Sequence, residues 1–148
     1  YSQECDVFAP CALGAVLNDR TIPQLRCAIV AGAANNVLHE HRHGLSLQEC
    51  GILYVPDYVI NAGGLICVAD QLEAFDPKRV HQRVDRIRET CLEVFALADQ
   101  QNLLPFEAAD RVAEERMRKG QEKKISHNSS EPGGSLRRDA HCAAEFSV

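Results

Sequence analysis

The sequence predicts an α/β fold in which a mostly parallel sheet is followed by C-terminal amphipathic helices. Three observations carry that prediction. Short apolar runs alternate with short helical segments in the first half of the chain, small and amide residues follow the runs, and from Asp76 apolar residues recur every three or four positions.

The first element is the run Cys5-Asp6-Val7-Phe8-Ala9-Pro10, read as a strand that a proline ends, with Cys11-Ala12-Leu13-Gly14 as a turn of small residues. Thr21-Ile22-Pro23-Gln24-Leu25 offers a hydroxyl cap with proline in the first turn, which suits one short helix. Ala28-Ile29-Val30-Ala31-Gly32 is a second buried strand running into Ala33-Ala34-Asn35-Asn36. A short helix over Leu45 to Cys50, closed by Gly51, leads into the strand Ile52-Leu53-Tyr54-Val55.

The stretch from Pro56 to Asp70 joins β-formers, Tyr58-Val59-Ile60, to Asn61-Ala62-Gly63-Gly64 and then to an amphipathic run, the order of strand, tight turn and helix start. Glycines there fit two uses: a turn relieved of crowding, or a bare helix N-terminus open to a small anion. Asp76-Pro77 starts a helix whose apolar face holds Val80, Val84, Ile87, Cys91, Val94 and Ala98. After Pro105 a second amphipathic helix carries Phe106, Ala109, Val112, Ala113 and Met117. Residues 1–119 form the expected folded part, and the polar, glycine-rich residues 120–148 are expected to be a disordered tail.

Composition narrows the function classes. With 148 residues, 45% hydrophobic and 25% charged, the chain suits one globular unit. The formal net charge of −5 with scattered lysines and arginines suggests neither a nucleic-acid groove nor a membrane surface. No apolar run approaches the length of a membrane span, and Tyr1 to Asp6 has no signal-peptide pattern. Seven irregularly spaced cysteines without a Cys-x-x-Cys pair read as reduced, buried thiols of a cytoplasmic protein. Position 1 is not methionine and the one methionine is Met117, so the chain is expected to begin inside a larger polypeptide.

Among candidate chemistries, His39-Glu40-His41-Arg42-His43 matches the His-Glu-x-x-His pattern of zinc hydrolases, whose mechanism requires a helix. Here it sits in a short polar connection closed by Gly44 and reads as a solvated loop. Cys11, after a strand end, has no histidine partner to make it a nucleophile. Asp57 and Asp70 are not spaced as an acid/base pair, and Asp70 is expected to face solvent. Asn35, Asn36 and Asn61 carry neutral donors and acceptors suited to a carboxylate, an amino group or a carboxamide, or else to turn formation.

Taken together, Asp6 to Gly14, Thr21 to Leu25, Ala31 to Asn36, Pro56 to Asp70 and Ala108 to Arg116 closely resemble the amino-acid dehydrogenases acting on leucine, valine and phenylalanine, relatives of glutamate dehydrogenase. The resemblance spans about residues 5 to 118. It implies a partial Rossmann-like sheet: the later part of an NAD-binding domain plus its closing helices. It also implies NAD-dependent oxidative deamination of an L-amino acid to a 2-oxo acid and ammonia, in a full-length protein that is a homo-oligomer.

By the same resemblance Pro10, Cys11 and Ala12 lie against the nicotinamide end of NAD. Asn36 touches nicotinamide ribose and substrate, Asn61 lies near the substrate, and Leu65 and Val68 line the pocket for its side chain. An aliphatic residue at Val68, where glutamate-specific relatives are polar, implies an apolar substrate.

The catalytic lysines and the aspartate of the family belong to an N-terminal domain outside these residues, so no catalytic residue is assigned and the chain alone is expected to be inactive. The phosphate-binding Gly-x-Gly-x-x-Gly fingerprint does not occur. Departures from the family pattern stand at Cys67 for asparagine, Gln71 for glutamate, Val37 for glutamine and Leu104 for a capping threonine. The alternative is a non-enzymatic regulatory or interaction module that retains a dehydrogenase half-domain.

Overall fold

Strands β1 (Val7–Phe8), β2 (Ile29–Val30) and β3 (Leu53–Tyr54) form a parallel sheet in the order β1-β2-β3 in the structure of the protein, a computed structural model that describes residues 1–72 and 74–128. Val7 pairs with Ile29 and Phe8 with Val30; Ile29 pairs with Leu53 and Val30 with Tyr54. Parallel neighbours need crossover connections. A 3-10 turn (Ile22–Gln24) and helix α1 (Arg42–Glu49) lie in those crossovers. This is the partial Rossmann-like α/β class that the sequence predicts.

The strands are two residues each. Gly32 lies so close to the end of the first strand segment that a Cβ there would meet the Pro10 carbonyl oxygen at 2.2 Å. The first core buries Leu17, Val30, Val37, Leu47, Tyr54 and Phe106 between sheet and helices.

One predicted strand is a helix. Tyr58, Val59 and Ile60 lie in α2 (Asp57–Ile60), not in a strand. A strand there would have to follow β3 after two or three residues, and a parallel sheet cannot be re-entered over so short a link. Tertiary contacts override β-propensity: the Tyr58 hydroxyl donates to the Phe106 carbonyl (3.0 Å) and to Asp110 Oδ1 (2.8 Å), while Val59 packs on the second core of Val94, Ala98, Ala108, Ala109 and Val112. The Asn61-Ala62-Gly63 segment is therefore a corner between two helices rather than a strand's carboxyl end. Gly63 and Gly64 open α3 (Gly63–Gln71) with nothing within 4 Å of an added Cβ, and Gly51, not these, is the positive-φ glycine among the described residues.

Helix α4 (Pro77–Gln101) begins as predicted, with Asp76 accepting from the Lys78 amide at 2.9 Å, and ends at Asn102 in the left-handed conformation. Helix α5 runs from Pro105 to Asn128. At its start Leu104 cannot cap through a hydroxyl, but Glu107 accepts from the Leu104 amide at 2.9 Å and keeps the other half of a capping box.

The first compact unit is Tyr1–Glu114. In the second, Glu115 pairs with Lys119 at 2.7 Å and Arg118 with Glu122 at 2.9 Å, and Met117, expected on an apolar face, is exposed. Helix continues to Asn128 where the sequence suggested a tail from 120; residues 129–148 lie outside the described residues. Among the described residues no helix is long and apolar enough to cross a membrane.

Candidate functional site

The carboxyl ends of parallel strands are where loops can reach a ligand without breaking the sheet. Pro10 follows β1 and is buried; its carbonyl accepts from the Ala34 amide at 2.9 Å, so the loops after β1 and β2 are fastened to each other. Cys11 and Ala12 continue from Pro10 along the surface, both exposed and both small.

The loop after β2 turns at Asn36, whose φ of 51° lies in the left-handed region that asparagine tolerates better than most residues. Its carbonyl accepts from the Ala15 amide at 2.7 Å, and Gly14 sits where a Cβ would be 2.9 Å from the Asn35 carbonyl oxygen. With its backbone fixed in this way, the Asn36 side chain is exposed and has no hydrogen-bond partner among the described residues. An amide held by its main chain alone can offer both its donor and its acceptor to a ligand.

Asp57 is the residue that sequence reasoning underrated. Its side chain is buried at 7% exposure; Oδ2 accepts from the Val37 amide at 2.9 Å and Oδ1 from the Tyr58 amide at 2.7 Å. One carboxylate thus staples the turn after Asn36 to the first turn of α2. The signal was present in Pro56-Asp57, an acidic residue at a helix start behind a proline. Nearby, the Tyr54 hydroxyl accepts from the Asp57 amide at 3.3 Å, and burial holds the Tyr54 phenol up at about 12.

Asn61 closes α2 beside the same loop. Its Nδ2 donates to Asn35 Oδ1 at 2.6 Å and to the Ala34 carbonyl at 3.5 Å. Pro10, Asn36 and Asn61 are therefore gathered at one end of the sheet by hydrogen bonds among their loops. Leu65 and Val68 are placed differently. They stand on α3, 73% and 58% exposed, and no described hydrogen bond ties them to the asparagines.

Asp70 ties α3 to α4. It does not face solvent as expected: its side chain is fully buried, accepts from Arg79 Nε, from the Asp76 amide at 2.8 Å and from Arg83 Nη1 at 3.4 Å. Arg79 first, then the Asp76 amide, hold this carboxyl below its ordinary value against the opposing effect of burial.

The histidine-rich segment is structural at His43. This residue is fully buried in the first turns of α1; its Nδ1 accepts from the Glu40 amide at 2.9 Å and its Nε2 faces Asp19 Oδ1 at 3.3 Å. Both ring nitrogens are engaged, so the His39–Glu40–His43 pattern does not present two open imidazoles to a zinc ion. Arg42 grips Asp19 with both terminal nitrogens at 2.7 and 2.6 Å, which lowers the exposed Asp19 carboxyl to about 2. The cysteines depart from the expected buried thiols: Cys5, Cys11 and Cys50 are exposed, and Cys27, Cys67 and Cys91 are half-buried, all free.

Comparison with known proteins gives concordant results. The family model described as Glutamate/Leucine/Phenylalanine/Valine dehydrogenase matches residues 1–124. The chain is 54% identical over 117 residues to the leucine dehydrogenase of Thermoactinomyces intermedius, covering 79% of this chain and 32% of that protein. It is 48% identical over 119 residues to the phenylalanine dehydrogenase of the same organism, covering 80% of this chain and 32% of that protein. The crystal structure of L-tryptophan dehydrogenase from Nostoc punctiforme superposes with a TM-score of 0.79 at 46% identity, covering 82% of this chain and 37% of that one. The chain spans about a third of the length of the relatives it matches.

Proposed function

Since the chain belongs to the glutamate/leucine/phenylalanine/valine dehydrogenase family, we propose that it forms part of an enzyme that deaminates a branched-chain or other apolar L-amino acid to a 2-oxo acid and ammonia, with NAD as hydride acceptor. Residues 1–119 are, in this reading, the C-terminal part of the NAD-binding domain with its closing helices, working in a cytoplasmic homo-oligomer.

The observation that carries the reading is the exposed, unpartnered Asn36 amide on a turn fixed by Gly14, Ala15 and Asp57. Cys11 and Ala12, exposed and short in the loop after β1, would suit the cofactor, since neither puts a long side chain where its nicotinamide end would lie. NAD, when bound, supplies the acceptor for the hydride. What this chain's residues do is position. Asn36 bonds the ribose on one side and the amino acid on the other, Asn61 holds the loop that carries Asn35, and Leu65 and Val68 present an apolar wall to the substrate side chain.

An apolar wall separates side chains differing by one methylene by only about 1–3 kcal/mol, so leucine, valine and isoleucine are all substrates on this reading, at unequal rates. The groups that move protons are supplied outside these residues.

A chimaera tests this. Residues 5–118 replacing the matched segment of the Thermoactinomyces intermedius leucine dehydrogenase are expected to give an enzyme that reduces NAD with leucine. Asn36→Ala in that chimaera removes a hydrogen bond to the ribose and one to the amino acid, and is expected to lower kcat/KM by about tenfold or more. A chimaera that folds and assembles yet reduces no NAD with any apolar amino acid overturns the reading.

A further inference from the structure

At the end of the sheet opposite the candidate site, two cysteines, Cys5 and Cys27, stand at matching positions just ahead of β1 and β2. Glu4 bridges to Arg26 and Val7 pairs with Ile29 at the same offset, which brings Cys5 level with Cys27 between them. The Cys5 amide donates to the Arg26 carbonyl at 3.0 Å, and the Ala28 and Ile29 amides both donate to the Asp6 carbonyl at 3.1 Å, so the two segments stay hydrogen-bonded on both sides of the pair across a bend in each.

Neighbouring strands run about 4.8 Å apart, inside the roughly 4.4–6.8 Å range of Cα separations that a disulfide spans. Register partners leave a sheet on the same face. The two thiols also sense each other, because Cys5 adds to the effect of burial in pushing the Cys27 thiol up. Both line a groove of about 790 Å³ at the amino ends of the strands, with Cys50 on its wall.

We propose that Cys5 and Cys27 form a redox-active cross-strand thiol pair that is oxidised to a disulfide by low-molecular-weight disulfides. Cys5 reacts first, since it is exposed and Cys27 is half-buried with its thiol raised. The Cys5 thiolate attacks one sulfur of the small disulfide, whose S–S bond breaks and releases one small thiolate. Cys27, deprotonated in turn, attacks the Cys5 sulfur; the mixed S–S bond breaks and the second small thiolate leaves. Two protein thiols are oxidised, one small disulfide is reduced to two thiols, and the protons lost by the cysteines end on them.

The bond joins the segments ahead of β1 and β2, whereas Pro10 and Asn36 follow those strands, so it is a modification site separate from the proposed chemistry. Peptide mapping of the whole chain after treatment with oxidised glutathione tests it. The expected product, at high dilution, is a Cys5 peptide joined to a Cys27 peptide, located by fragment-ion sequencing and released by dithiothreitol. Cys50→Ser is expected to retain the linkage and Cys5→Ser to leave Cys27 unlinked to any protein cysteine. Recovery of Cys27 joined to Cys50, joined only to another molecule, or carrying only glutathione in the unaltered protein overturns the proposal, and this mapping does not depend on whether either variant folds.

Discussion

Two regions of the molecule, the walls of one site in the proposed reading, are built on different principles. The wall at the strand ends, from Pro10 to Asn36 and across to Asn61, is held by main-chain hydrogen bonds, close backbone approach, one buried carboxylate and the Asn61 side-chain amide. The wall on α3 is a helix whose apolar face is open, with Leu65, Val68 and Leu72 at 73%, 58% and 87% exposure, and whose charged anchor, Asp70, lies on its buried side. Backbone scaffolding fixes loop positions to within the tolerance of a hydrogen bond. A helix oriented by ion pairs can present different side chains without being redesigned. The first arrangement suits a ligand part that does not vary and the second suits one that does.

The contrast is broken most severely at Gly32. A methyl group there would lie 2.2 Å from the Pro10 carbonyl oxygen and 2.6 Å from its nitrogen, backbone atoms that cannot swing aside. Gly32→Ala is expected to cost about 3 kcal/mol, the upper part of the overpacking range, seen as a lower denaturation midpoint in guanidinium chloride. At Gly44 an added Cβ would come equally close, but to the Phe106 ring, a side chain, so a smaller loss is expected there. Equal losses at both positions would show that the strand-end wall is no more rigid than the helical core.

Asp57→Ala comes next. It leaves the buried Val37 amide without its acceptor, at a cost of about 1–3 kcal/mol, and frees the turn that carries Asn36. Amide hydrogen exchange should rise at Val37 more than at residues of α4. Unchanged protection at Val37 would remove Asp57 from its stapling role.

The same contrast explains what was legible in the sequence. Glycine, proline and asparagine report backbone geometry directly, so the loops after β1 and β2 and the Asp76-Pro77 helix start could be read from residue type alone. Tyr58-Val59-Ile60 could not, because these side chains are β-formers whose conformation is decided by Phe106, Asp110 and the second core, all distant in sequence. Asp70 was opaque for the same reason. Nothing near it in sequence announces that Arg79 and Arg83, on the next helix, will turn it inward. The length of the intervening link did carry unused information: β3 followed at once by another parallel strand is topologically excluded.

The smallest expected effect sharpens the helical side of the comparison. In Asp70→Asn the buried side chain keeps its shape but loses its charge, while Arg79 and Arg83, 33% and 37% exposed along their side chains, regain water in part. The loss of stability at neutral pH should therefore be smaller than in Asp57→Ala. Its signature lies in the pH dependence. Because Arg79 and the Asp76 amide hold the Asp70 carboxyl below its ordinary 3.8, its contribution is fully present above pH 3.8 and fades as pH falls through the lowered folded-state value. Asp19, lowered to about 2 by Arg42, follows the same sign between pH 3.8 and 2, but its exposure to solvent weakens it. Thermal melts from pH 7 down to pH 2 should thus show a shallower acid decline for Asp70→Asn than for the unaltered chain, the two curves converging at the acid end. Parallel curves would mean that α3 is oriented by packing alone, and the two walls would then differ in exposure but not in kind.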